Sequence, residues 1–288
     1  MQTSDDSGER INTLSSAQLR RWEEHGWILL DSAFPQEKID AAAQQTLSSE
    51  FPEHREFEPR DTISPFDTMT TFPFRSDAAN DICASHTLQT IAQQILNSEV
   101  QLYQAQLWMK RAGYAKFEQS HHRDYAKNTM LTPRNGDGSC DFLAFIIYLS
   151  DVTASSGPTA MVSRSITASR PLEPGRLRVE DAPEIYDQEE LACGPRGSLL
   201  LYAGDTFHRA TELNAGGSRL VIKGAVRKTG ATWVNYVHGL RVGFEPEWSI
   251  FMNRASREQV EFITGRTSKR RIDSAYQERY PYTIRSQS

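Results

Sequence analysis

Residues 100–110 read VQLYQAQLWMK, and this stretch decides the fold class. Aliphatic and aromatic side chains are interleaved in it with glutamines, and it contains no helix breaker. Such a pattern is typical of a β-strand that turns one face toward a polar interior. The chain therefore changes at Val100 from predicted helices to predicted strands.

Further strands are predicted along the rest of the chain, with turn signals such as glycine-rich stretches between several of them. They are residues 118–125, 141–150, 159–162, 197–202, 206–211 and 219–227. Many short strands joined by such turns predict a jelly roll or a related barrel. Residues 166–193 interrupt the pattern with prolines and acidic residues, so we interpret them as a lid-like excursion over the barrel mouth.

Helices are predicted on both sides of the strand region. Residues 15–18 have the capping-box pattern that starts a helix, and Gly26 suits the left-handed position that ends one. The other assignments are a strand at 27–30, helices at 36–47 and 84–96, an irregular segment at 69–74, and a helix from a second capping box at 256–259 to about Gly265. These elements are expected to pack outside the strands.

The composition fits one globular domain. Of 288 residues, 38% are hydrophobic and 24% are charged, which is enough for a core and argues against general disorder. An all-β barrel with helical decoration commonly fills this length alone. We therefore predict a single domain over residues 1–288, in which residues 1–12 are disordered.

Charge and cysteine usage narrow the partners and the compartment. A formal net charge of -5 provides no basic field for phosphate backbones, so nucleic acid is not an expected partner. The longest apolar run, residues 142–149, is far shorter than the roughly 20 residues that cross a bilayer, so no membrane partner is expected. Three separated cysteines without a CxxC pair and an acidic, polar N-terminus predict the cytoplasm. The oligomeric state stays open.

The candidates for chemistry begin with His-His-Arg-Asp at residues 121–124. Residues two apart in a strand share a face, so His122 and Asp124 are expected to point to the same side. His208, which follows a glycine-bounded strand much later, is the third candidate ligand. Two histidines and one carboxylate leave three positions of a metal open, which suits iron(II) oxygenases. Taken alone, a histidine and an aspartate two apart occur by chance in many chains.

Arg219 makes this set more specific. It lies eleven residues after His208, across a Gly216-Gly217 turn, so a hairpin is expected to bring it beside the metal strand. A planar guanidinium is suited to bind a carboxylate through two hydrogen bonds. A surface charge is the alternative interpretation, but Arg219 opens the apolar run 220–222, which favours a buried strand start.

The ordered set of motifs resembles the phytanoyl-CoA hydroxylase family of iron(II)- and 2-oxoglutarate-dependent dioxygenases, over most of the chain. The motifs are LSSAQ at 14–18, EHGWILLD at 24–31, HRD at 122–124, SGPT at 156–159, and His208 with Arg219. The resemblance implies a mainly β protein, a double-stranded β-helix barrel of the jelly-roll or cupin-like kind with flanking N-terminal and C-terminal helices. It also implies iron(II), 2-oxoglutarate and O2.

The resemblance further implies a role for each matching residue. His122, Asp124 and His208 would be the metal ligands and catalytic centre. Arg219 would bind the remote carboxylate of 2-oxoglutarate, and Thr159 would donate a hydrogen bond to the same molecule. The co-substrate is thus expected between the metal and the arginine.

Three polar residues of the first strand are further candidates for binding the co-substrate. The even spacing of Gln104, Gln106 and Lys110 places them on one strand face that could line the barrel. A solvated strand face is an equally supported alternative for them.

The expected activity is hydroxylation of a small-molecule, secondary-metabolite-like substrate, with release of succinate and CO2. Desaturation, epimerisation and endoperoxidation use the same metal site and stay open as outcomes. Asp124 occupies a position where related halogenases have a small residue, so halogenation is disfavoured. A non-catalytic metal-binding or regulatory module is the alternative of another class, and the presence of all three ligands and the arginine counts against it.

Overall fold

A computed structural model of the protein describes residues 13–51, 69–111, 118–124, 140–170, 175–214, 218–231, 250–251 and 253–264. The disorder predicted for residues 1–12 and the predicted turn at 216–217 fall outside these ranges. Two antiparallel sheets form the centre of the described structure, and helices pack around them. None of the described helices has the length and apolar character needed to cross a membrane.

The helices carry the end signals that the sequence predicts. They are α1 (Ser16–His25), α2 (Gln36–Ser49), α3 (Asp77–Cys83), α4 (His86–Leu96), α5 (Arg164–Thr167), α6 (Pro183–Tyr186) and α7 (Arg257–Thr264). Before α1, the Ser15 hydroxyl accepts from the Gln18 backbone N–H, and the Gln18 side chain accepts from the Ser15 N–H at 2.8 Å. Gly26 ends α1 at a φ of 74°. The capping boxes at α1 and α7 are both confirmed.

The larger sheet has six strands and contains the stretch at Val100. Its order is β1 (Trp27–Leu30), β9 (Leu199–Ala203), β5 (Phe142–Tyr148), β11 (Ser218–Lys228), β3 (Val100–Arg111) and β2 (Met69–Thr71). The central β11 pairs with β3 over its whole length and with β5 over seven residues. Because β3 and β11 are long and pair throughout, with one register shift between Ala225 and Val226, this sheet forms one continuous wall.

The smaller sheet has five short strands and faces that wall. Its order is β7 (Arg176–Leu177), β4 (His121–His122), β10 (His208–Ala210), β6 (Thr159–Met161) and β8 (Glu190–Leu191). Met161 of this sheet and Val221 of the larger sheet belong to one buried cluster. We call the faces that the two sheets turn toward each other the inner faces, and the opposite faces the outer faces.

The main hydrophobic core lies between the helices and the outer face of the larger sheet. On β3, Ala105, Leu107 and Met109 belong to this core, and on β11 so do Leu220 and Ile222. Alternation along a strand therefore leaves Gln104, Gln106, Trp108 and Lys110 for the inner face.

Some predicted elements differ from the structure. Segment 69–74, predicted as irregular, contains β2, and helix α3 was not predicted. Residues 166–193 contain β7 and β8, which are the edge strands of the smaller sheet. Part of the stretch interpreted as an excursion is therefore built into the barrel, because two-residue strands have too little periodicity to be seen in a sequence.

The predicted hairpin between His208 and Arg219 is wrong. His208 lies on β10 and pairs with β4 and β6, whereas Arg219 lies on β11 and pairs with Lys110 of β3. The chain between them crosses from the smaller sheet to the larger one. Arg219 consequently reaches the site from the opposite wall.

Candidate metal centre

The structure brings His122, Asp124 and His208 together on the inner face of the smaller sheet. His122 and His208 are direct partners across β4 and β10, and their ring centroids lie 4.5 Å apart. The Asp124 Oδ1 atom is 3.4 Å from His208 Nε2 and 4.0 Å from His122 Nε2. One ligand atom from each residue lies within 4.8 Å of the others. The cluster could hold a metal ion, and its two nitrogens and one carboxylate suit iron(II).

Backbone carbonyls orient both imidazoles. His122 Nδ1 lies 3.0 Å from the Ser120 oxygen, and His208 Nδ1 lies 3.1 Å from the Thr206 oxygen. A carbonyl oxygen only accepts, so each Nδ1 carries a proton, and in a neutral ring the Nε2 lone pair is then left for a metal. The buried His208 Nε2 has no hydrogen-bond partner among the described residues. This orphaned acceptor fits a metal ligand whose other nitrogen is fixed by the backbone.

Burial and nearby charges shift the pKa values of His122 and Asp124. Burial and the neighbouring His208 lower the pKa of His122 to about 4, so its ring is neutral at pH 7. Desolvation acts to raise the pKa of the Asp124 carboxyl, but His208, Lys223 and His122 together bring that pKa well below its usual range. An ionised Asp124 carboxylate beside a neutral His122 ring suits metal binding, which requires deprotonated ligands.

The cluster is open on one side. The Asp124 side chain is 39% exposed, whereas that of His208 is 4% exposed. A small molecule can therefore approach the three ligand atoms past Asp124.

Arg219 lies on the inner face of the larger sheet, opposite the sheet that carries the cluster. One of its terminal nitrogens donates to the Gly157 carbonyl, while its Nε is buried without a hydrogen-bond partner among the described residues. Desolvation lowers the pKa of this arginine. A buried guanidinium with an unsatisfied donor is suited to receive an anionic oxygen.

Lys110 and the Gly-Pro turn meet Arg219 at the same end of the barrel. Lys110 Nζ donates to the Thr211 carbonyl, and burial together with the charge of Arg219 lowers the pKa of Lys110 to about 8. Gly157 has a φ of 65°, and a Cβ there would come within 2.9 Å of Lys110 Nζ. Glycine is therefore needed at this crossing.

The remaining predicted residues also line the inner wall. Thr159 pairs with Ala210, two residues from His208, and is 6% exposed. Gln104 and Gln106 are half-buried on β3 and pair with Ala225 and Lys223 of β11. Gln106 Oε1 accepts from the indole N–H of Trp108 at 3.0 Å.

Two inner residues, Lys223 and Tyr202, were not predicted. Lys223 lies on the inner face of β11, and its positive charge lowers the pKa values of both Asp124 and His122. The Tyr202 hydroxyl is fully buried without a hydrogen-bond partner among the described residues, and its ring centroid is 4.6 Å from that of His208. Lys223 lies four residues after Arg219 on the same predicted strand, so alternation would have placed both residues on one face. Nothing in the sequence distinguishes Tyr202 from a core tyrosine.

An ionic network on the outer face of the smaller sheet was also missed. His121 Nε2 donates to Glu189 Oε2 at 2.8 Å. Arg209 donates to both oxygens of Glu189 at 2.7 Å and also contacts Glu118. The ring of Tyr186 lies against both His121 and Arg209. Glu189 belongs to the stretch interpreted as a lid, which is why the sequence did not reveal its pairing.

Comparison with protein families decides the identity of the chain. The family model described as phytanoyl-CoA dioxygenase (PhyH) matches residues 22–221, well over half of the sequence. The chain belongs to this family. PhyH members are iron(II)- and 2-oxoglutarate-dependent oxygenases, so the chain is an oxygenase of this kind. The predicted family and enzyme class are confirmed.

Solved structures resemble this PhyH-family member in fold. HygX from Streptomyces hygroscopicus, with nickel and 2-oxoglutarate bound, is 16% identical with a TM-score of 0.59, over 78% of this chain and 91% of HygX. EctD from S. alaskensis, with 2-oxoglutarate and 5-hydroxyectoine, is 16% identical with a TM-score of 0.58, over 76% of this chain and 78% of EctD. At these identities the likeness shows the fold, and the predicted barrel is confirmed. No curated protein matches the chain significantly.

Proposed function

We propose that this oxygenase hydroxylates a small molecule, with succinate and CO2 as co-products, at a metal centre formed by His122, Asp124 and His208. The observation that carries the proposal is the convergence of three ligand atoms within 4.8 Å, with both imidazoles held in the ligating tautomer by backbone carbonyls. When bound there, iron(II) would supply the activation of O2. The neutral His122 ring and the ionised Asp124 carboxylate need lose no proton before a metal binds.

Arg219 is proposed to bind the remote carboxylate of 2-oxoglutarate. Its support is the buried, unpartnered Nε, which would gain an acceptor when the co-substrate enters. Lys110 adds positive charge at the same end, and Thr159 faces the same space. Gln104 and Gln106 lie further along the wall, and for them contact with the co-substrate is proposed only as an alternative to contact with the substrate.

The substrate is proposed to be a small molecule of the secondary-metabolite kind. HygX has been solved with hygromycin B bound, and EctD with 5-hydroxyectoine, both small molecules. The chain's net negative charge gives no support for nucleic acid as a partner. We also propose the cytoplasm as its compartment, supported by three cysteines that are free in the described structure.

An outcome other than hydroxylation has specific support from the fold comparison. A similar fold occurs in the non-heme alpha ketoglutarate dependent epimerase SnoN and in the corresponding carbocyclase SnoK, with TM-scores of 0.53 and 0.56. Epimerisation or ring closure by this chain is therefore the second candidate. Oxygen incorporation into the product separates them, because only hydroxylation transfers an atom from O2 to the substrate.

Succinate formation tests the proposed function without a known substrate. The protein is incubated with iron(II) and 2-oxoglutarate in air, and succinate is quantified. We expect slow succinate formation by the wild type and none by Asp124→Ala or His208→Ala, because each variant loses a ligand of the metal. His86→Ala, on the first residue of α4, is the matched control and should behave as the wild type.

Each outcome of this experiment has a definite meaning. Substantial succinate formation by either site variant would refute the ligand assignment. Iron-loaded wild type that forms no succinate would support the non-catalytic module instead of the enzyme.

A further inference from the structure

Lys223 is an unexplained cation in the wall of the barrel. On β11 it shares the inner face with Arg219 and Val221, and four residues of strand separate it from Arg219 by roughly 13 Å. Its partners across the sheet are Gln106 on β3 and Ile146 on β5. Lys223 is therefore a second inner cation, distinct in position from the arginine proposed to bind the co-substrate.

The ammonium of Lys223 has no direct counterion among the residues that the structure describes. Lys223 is half-buried, yet no hydrogen bond or ion pair joins it to a described residue. Its neighbour Ile146 and the adjacent Val221 and Tyr148 belong to the buried apolar cluster of the inner face. Placing a cation beside such surface costs free energy unless a partner is gained, so the position points to a ligand.

The charges of the inner face support an anionic ligand. With iron(II) bound, the metal and Asp124 leave one positive charge, and Arg219 and Lys223 add two more. The two carboxylates of 2-oxoglutarate balance two of these three charges. The positive charge of Lys110 is offset by two nearby glutamates, so Lys110 is left out of this sum. One positive charge is then left for a further anion.

Gln106 supplies neutral donors next to this cation. Its side-chain oxygen accepts from the Trp108 indole, which fixes the orientation of the amide and leaves its two N–H groups for another acceptor. Thr71 of β2 pairs with Gln106 and so places a hydroxyl on the same face. A row of donors thus runs across β2, β3 and β11, beside the metal cluster.

We propose that Lys223 and Gln106 form a subsite that binds a carboxylate of the prime substrate. The inference rests on the proposed function and narrows its substrate class to small molecules with a carboxylate or equivalent anionic group. Arg219 is proposed to bind the carboxylate of 2-oxoglutarate that is remote from the metal. The subsite at Lys223 is then left for the substrate, which it would orient relative to the metal. A substrate anchored there presents its reacting carbon at a fixed distance from the ligand cluster.

Binding of a simple carboxylate tests the subsite. The protein is loaded with Mn(II), which replaces iron(II) without turnover, and saturated with 2-oxoglutarate. Paramagnetic broadening of proton NMR signals then reports whether benzoate binds near the metal, and benzamide serves as the uncharged comparison. We expect broadening of benzoate but not of benzamide, unchanged when the concentration of 2-oxoglutarate is doubled.

Variants of Lys223 assign that binding to the residue. Lys223→Gln should weaken benzoate binding about tenfold or more, because a charge-assisted contact is lost, while Lys223→Arg should retain most of it. Lys228→Gln, on the same strand and paired with Asp141 at 3.5 Å, is the matched control and should leave benzoate binding unchanged. Calorimetry on the same samples measures the affinities for Mn(II) and 2-oxoglutarate.

Several results would overturn the subsite. Lack of benzoate broadening in the wild type, or equal binding by wild type and Lys223→Gln, would do so. An equal loss of 2-oxoglutarate affinity in Lys223→Gln would show that the lysine binds the co-substrate, and an equal loss of Mn(II) affinity would make it a counterion of Asp124. Failure of the wild type to bind Mn(II) and 2-oxoglutarate would instead contradict the proposed function itself.

Discussion

The two faces of the smaller sheet differ sharply at β4 and β10, although they are built from neighbouring residues. His121 and Arg209 point outward and are paired with Glu189. His122 and His208 point inward, and the His208 Nε2 has no hydrogen-bond partner among the described residues. Buried polar groups are normally hydrogen-bonded. The outer side chains are joined by ion pairs, although His121 Nδ1 has no hydrogen-bond partner among the described residues, whereas the inner ligand atoms converge on a shared space that a ligand could fill.

The contrast extends to the tautomers of adjacent histidines. The Glu189 carboxylate can only accept, so His121 must carry its proton on Nε2. His122 donates from Nδ1 to a backbone oxygen and keeps the Nε2 lone pair for the metal cluster. One-residue alternation along β4 therefore separates a histidine that holds the strand in place from one that is proposed to bind iron.

Breaking the outer network should have the largest effect on the folded state. Arg209→Ala leaves Glu189, whose side chain is only 16% exposed, without its bidentate partner. We expect the free energy of unfolding of the metal-free protein to fall by about 3 kcal/mol, the typical cost of breaking a buried pair. Urea denaturation, monitored by circular dichroism, measures this loss.

An exposed pair supplies the control for Arg209. Arg196 lies 3.2 Å from Asp40 with about half of each side chain exposed. Arg196→Ala should change the unfolding free energy by less than about 1 kcal/mol. If both variants lost equally little stability, the outer network would not be what secures β4 and β10.

The sequence predicted the larger sheet better than the smaller one, and the reason is strand length. β3 and β11 span 12 and 11 residues, long enough for alternation to reveal both the strand and its faces. β7 and β8 span two residues each, and their pairing depends on contacts with strands far away in sequence. Local patterns could not show them.

The sequence also predicted some residues of the site better than others. His122, Asp124 and His208 were found because their types and order resemble a family, and the structure brings them together. The hairpin predicted for Arg219 was wrong because sequence proximity does not tell which of two facing sheets a strand joins. Lys223 lies on the same face of β11 as Arg219, but it belongs to none of the motifs that carry the family resemblance.

On the opposite wall, Arg219 is another inner group with an unsatisfied hydrogen-bond donor, its Nε atom. Arg219→Ala removes a proposed partner of a buried carboxylate, so we expect about tenfold or weaker affinity for 2-oxoglutarate. The free energy of unfolding should change little without ligand. Calorimetric titration of Mn(II)-loaded protein with 2-oxoglutarate measures the effect.

Arg227 on the same strand is the matched control. Its guanidinium already bonds to the Gln101 side chain at 2.7 Å and to the Ala231 carbonyl. Arg227→Ala should therefore lower stability and leave the affinity for 2-oxoglutarate unchanged. Unchanged 2-oxoglutarate affinity in Arg219→Ala would refute the role proposed for Arg219.

The smallest predicted effect concerns the pH dependence of the outer network. Desolvation acts to raise the pKa of Glu189, but the hydrogen bonds from His121 and Arg209 outweigh it and lower this pKa to about 2. A carboxyl group with a lowered pKa in the folded state stabilises the fold above its ordinary pKa, near 4.5, and loses this contribution as the pH falls toward 2.

Glu189→Gln should therefore destabilise the metal-free protein most at neutral pH, because the variant lacks the ionised partner of Arg209 and His121. The difference in melting temperature from the wild type should shrink as the pH is lowered from 6 toward 3, because below about pH 4.5 the unfolded wild type takes up a proton at Glu189 while the folded carboxylate stays ionised. Thermal melts across this range measure it, and Glu190→Gln, in an exposed pair with Arg21 at 3.6 Å, is the control that should show almost no difference at any pH. A constant difference between wild type and Glu189→Gln would mean that shape rather than charge joins Glu189 to the outer face, and the contrast between the two faces would then rest on packing alone.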